Sequence, residues 1–81
     1  MITRDSIETT YSFFHQKQRV YEHSTLAWQM DEIEYAIAQF ADEMNVELYT
    51  RLAQGRADYL RDHKHFASDI KDAVMQLEKM L

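Results

Sequence analysis

The chain has 81 residues, with no cysteine, no proline and one glycine; it is 46% hydrophobic and carries a formal net charge of −5. This length corresponds to one domain, and the apolar content excludes a disordered chain. The absence of cysteine excludes disulfide staples and agrees with a reducing compartment. The charge is unevenly placed: residues 1–44 hold three basic side chains against eight acidic ones, and residues 45–81 hold six of each. Clustered Lys and Arg, which phosphate backbones and anionic lipid require, are missing. Nucleic acid is therefore not an expected partner, nor is a membrane. The first residues, Met-Ile-Thr-Arg-Asp-Ser, contain no apolar stretch of the signal-peptide kind. Cytoplasm is the expected location.

No glycine interrupts the first fifty-four residues, and the apolar period is helical throughout, so the predicted class is all-α. The first helix is predicted over about 5–44. Asp5 serves as N-cap and Glu8 as its capping-box partner, both acids favouring the positive end of the helix dipole. At about 100° per residue, Leu26, Met30, Ile33, Ile37, Phe40 and Met44 fall on one stripe with the 4-3-4-3-4 spacing of a coiled-coil seam. Phe14, Tyr21, Trp28 and Tyr35 recur every seven residues on the opposite face, with Ile7, Tyr11 and Phe13 nearby. A helix with two apolar faces needs cover on both sides. One continuous helix that changes packing partner near residues 24–30 is the preferred reading, because neither Ser24 nor Thr25 is followed three residues later by Glu or Gln. A bend or break near His23-Ser24-Thr25 is the alternative.

Asn45 is expected to cap a short helix over 46–54, anchored by Val46, Leu48 and Leu52. Gly55 supplies the left-handed residue that ends it. Asp58 is then expected to cap a third helix over 58–81. Leu60, His63, Phe66, Ala67, Ile70, Ala73, Val74, Leu77 and Leu81 form its apolar face. Asp58, Asp62, His65, Asp69, Asp72 and Gln76 form the opposite, solvated face.

No constellation carries catalysis. Asp31, Glu32 and Glu34 fan out around the helix and read as solvated. Asp62, His65 and Asp69 share one helical face but lack the Glu-x-x-His pairs of di-metal bundles. His63 reads as a hydrogen-bonded boundary histidine, the sharper reading being a pH-sensitive contact. There is no cysteine nucleophile, serine elbow or glycine-rich loop. No cofactor and no metal are expected. The aromatic face remains, because rings dominate interface energetics and a tyrosine hydroxyl stays wet while its ring packs. The sequence thus predicts a small helical bundle acting as a non-enzymatic interaction module: an adaptor, subunit or regulator. It is expected to form a homo-oligomer, most simply a dimer, or to bind another protein, through Tyr11, Phe14, Tyr21, Trp28 and Tyr35. The alternative is a small metal protein or enzyme assembled in an oligomer.

Overall fold

A computed structural model of the chain describes residues 2–61 and 63–81, with His63 described by its backbone alone. Among the described residues it is an all-α bundle of four α-helices: α1 (Arg4–His23), α2 (Ala27–Glu43), α3 (Val46–Ala53) and α4 (Phe66–Met80), the last preceded by a 3-10 turn over His63–His65. Helix α1 begins slightly earlier than an Asp5 cap would place it. Thr3 is the N-cap: its Oγ1 accepts from the Ser6 N–H at 3.1 Å, while Ser6 Oγ accepts from the Thr3 N–H at 3.2 Å. Ser6 therefore takes the place of an acidic capping-box partner, satisfying the same orphan donors.

The predicted continuous helix over 5–44 is broken. Ser24 and Leu26 are extended, with ψ of 131° and 136°. Ser24 Oγ donates to the Val20 carbonyl at 2.7 Å and its N–H to the Tyr21 carbonyl at 3.2 Å. These bonds satisfy end-of-helix carbonyls locally, as short hydroxyl side chains can where they compete with the helix ladder. Beyond the break α2 runs back antiparallel along α1. Phe13 stacks on Phe40 at 4.0 Å between centroids, and Tyr21 Oη donates to Glu34 Oε1 at 3.1 Å. The break has a packing cause. In a straight helix the aromatic face of residues 7–21 and the aliphatic seam of residues 30–44 point to opposite sides. Folded at 24–26, both point inward, and one core holds Phe14, Ile33, Ile37 and Met44 together. The need for a covering partner on the first helix, inferred from a continuous rod, is met largely within the chain.

Helix α4 lies antiparallel to α1 and closes the other side. Tyr21 packs near Phe66 at 5.7 Å, and at the far end Tyr11 Oη donates to Glu78 Oε1 at 2.9 Å. Leu77, Ala73 and Ile70 are buried between them. Asn45 caps α3, its Oδ1 accepting from the Leu48 N–H at 3.2 Å. Gln54 (φ 51°) and Gly55 (φ 87°) carry the left-handed turn that ends α3, a conformation only glycine takes at no steric cost.

The third predicted helix, 58–81, is shorter at its start, because residues 57–61 form a turn and α4 begins at Phe66. Tyr59 and Leu60 are adjacent, yet both are essentially fully buried. Leu60 sits in the turn at φ 63°, a left-handed conformation costing a non-glycine residue about 1–2 kcal/mol. Burial of its side chain offsets a cost of that size.

The same turn corrects the reading of the Asp face. Asp69, expected in solvent, is 2% exposed. Its Oδ1 accepts from Arg56 Nη1 at 2.7 Å, and its Oδ2 accepts from Arg56 Nη2 at 3.4 Å and from the Leu60 N–H at 3.3 Å. The carboxylate thus fastens the 54–61 turn to α4. Tyr49 Oη ties the turn to α3 by donating to the Tyr59 carbonyl at 2.8 Å. Glu34, also expected in solvent, is buried where α2 returns along Tyr21. Among the described residues every buried side-chain nitrogen and oxygen has a hydrogen-bond partner, as buried polar groups must.

Candidate functional site

The break divides the aromatic face. Phe14 is wholly internal at 0% exposure, with Phe13 and Phe40 packed edge-on to its ring at 5.5 and 5.6 Å. Tyr11 and Tyr21 are half-buried, their rings against the core and their hydroxyls on Glu78 and Glu34. Both phenols titrate above the usual value. For Tyr11 the leading cause is the hydrogen bond to Glu78; for Tyr21 it is desolvation, followed by the bond to Glu34. Trp28 and Tyr35, downstream of the break, face out at 57% and 72% exposure. The heptad spacing that puts all four rings on one side of a straight helix thus places two toward the interior and two in solvent.

The aliphatic seam is mainly internal. Ile33, Ile37 and Met44 are buried, and Phe40 packs against the core. Its first member, Leu26, lies in the connection and is half exposed, as is Val20 at the end of α1. Three large apolar side chains, Val20, Leu26 and Trp28, are therefore exposed close together in sequence at the α1–α2 elbow. Sequence periodicity alone does not find this surface, because Val20 lies on neither apolar stripe and meets Trp28 only where the chain folds back.

Two open clefts meet at the elbow. One, of about 510 Å³, is lined by His15, Arg19, Val20 and His23 of α1 with Ser24 and Gln29. The other, of about 230 Å³, shares Val20, Ser24 and Gln29 and adds Trp28, Glu32 and Ile33 of α2. The α1 side of this joined surface carries a guanidinium and two imidazoles; the α2 side carries Trp28 and a carboxylate. An apolar floor with opposite charges on its two walls suits contact with another protein surface.

Chemistry has less support. Among the described residues, no group of three or more His, Cys, Asp or Glu side chains is placed to hold a metal ion. Asp69 turns inward to Arg56 and Leu60 while His65 is exposed, so these two do not converge. Asp62 and the His63 side chain, with the pH-sensitive contact considered for it, lie outside the described residues. Among the described residues no helix is long and apolar enough to cross a membrane. Compared with protein-family models, curated proteins and solved structures, the chain matches none.

Proposed function

We propose that this chain is a non-enzymatic helical interaction module, an adaptor, subunit or regulator, working in the cytoplasm by presenting its α1–α2 elbow to another protein surface. Self-association is its primary interaction and a homodimer its simplest form. The observation that carries this reading is that Val20 and Trp28, both about half exposed, line joined clefts carrying Arg19 on one side and Glu32 on the other, with Leu26 exposed in the connection. Scattered single apolar residues are ordinary on a protein surface, but a tryptophan clustered with aliphatic neighbours marks an interaction site. Tyr35, further along the outer side of α2, extends the aromatic surface, while Phe14 contributes to the monomer's core. Sedimentation of the purified chain from low to high micromolar concentration tests the reading. A dimer is expected, and a monomer over the whole range would refute self-association.

A further inference from the structure

Resting on that reading, we propose that the surface seated on the elbow is the same elbow of a second copy, related by a two-fold axis. Reciprocal Arg19–Glu32 ion pairs then bridge the copies, and each Trp28 lies over the apolar lining of its partner's cleft. The assignment follows from how charge is distributed over the joined clefts. The α1 wall offers Arg19, His15 and His23 and no acid; the α2 wall offers Glu32 and no base. A surface with a cationic wall and an anionic wall is complementary to itself under a two-fold rotation, which brings each wall against the other copy's opposite wall. An unrelated acidic partner would satisfy Arg19 but would set its own charge against Glu32.

Arg19 and Glu32 are available for this role. Both are exposed, and neither forms an ion pair with another described residue. Arg4, Arg56 and Arg61, by contrast, are already paired with Glu8, Asp58 and Asp42. A stable dimer covers about 800 Å² per partner, which is roughly 15% of this chain's 5381 Å². The apolar centre and charged rim match the usual arrangement of an interface, with Trp28 as the central anchor.

Charge-reversal complementation tests the pairing. In a two-fold dimer, Arg19→Glu sets two carboxylate pairs against each other and Glu32→Arg sets two guanidinium pairs. Each variant alone is expected to raise the dimer Kd by about tenfold. An equimolar mixture restores native affinity. In the mixed dimer the two substituted positions face each other with opposite charges, and the native Arg19 faces the native Glu32. The chain carrying both substitutions recovers for the same reason. Both sites are exposed, so unchanged circular dichroism is expected and separates loss of association from loss of fold. Trp28, the sole tryptophan, gives a second readout: its emission shifts to shorter wavelength with rising concentration as the indole leaves water. A native dimer unaffected by either reversal, or two weakened variants that fail to recover when mixed, would overturn the pairing and leave self-association standing. A native chain that stays monomeric overturns both.

Discussion

Asp69→Ala tests the turn that the sequence alone places in a helix. The native carboxylate is buried, holds both terminal nitrogens of Arg56, and accepts from the Leu60 N–H at 3.3 Å. Alanine leaves that N–H without its acceptor beside a fully buried leucine. An orphaned buried donor costs about 1–3 kcal/mol. Leu60 also sits at φ 63°, and a left-handed non-glycine residue costs about 1–2 kcal/mol that only the surrounding contacts hold in place. Arg56 is partly exposed and recovers water, so none of the loss is assigned to it. The expected destabilisation is about 2 kcal/mol. For a domain of this size that lowers Tm by roughly 8–16 °C, measured by thermal denaturation followed by circular dichroism. Asp69→Asn keeps an oxygen for the Leu60 N–H and is expected to lose only about 1 kcal/mol. A loss below about 0.5 kcal/mol for Asp69→Ala, the range of ordinary surface substitutions, would refute the claim that this carboxylate fastens the turn.

Phe14→Ala removes a ring with no exposed surface; the loss of about 3–5 kcal/mol is comparable with the whole stability of an 81-residue domain, so the melting transition should broaden or vanish. A stable Phe14→Ala monomer that had lost only association would show that the ring serves an interface instead. Tyr59 is raised well above the ordinary phenol value of 10.0, first by burial and then by the nearby negative charges of Asp72 and Asp69. The native state thus retains a proton that the unfolded chain gives up near pH 10, so stability is full below that pH and falls as pH rises above it. Tyr59→Phe should make the decline in urea midpoint between neutral pH and about pH 11 shallower by one proton, with Tyr11 and Tyr21 accounting for what remains. An unchanged slope would contradict the burial of that phenol.

Periodicity determined much of this protein before any fold was known. The helical class, the Asn45 cap and most of the buried face of α4 follow from residues within a turn or two of each other. Interactions at that range depend only on the helical repeat and on backbone groups left free at helix ends. Periodicity fixes the angle of a side chain around its own axis, and it is silent on what lies at that angle. The tertiary structure therefore decided where the long apolar run breaks, since Ser24 does so without a capping-box signature and the gain comes from merging two faces into one core. It decided that Phe14 turns inward while Trp28, two heptads on, faces water. It also buried Asp69 and Glu34, each enclosed by a partner thirteen residues away that no local pattern brings near. The elbow surface belongs to the same class of feature. Val20 and Trp28 line one cleft only because the chain reverses between them.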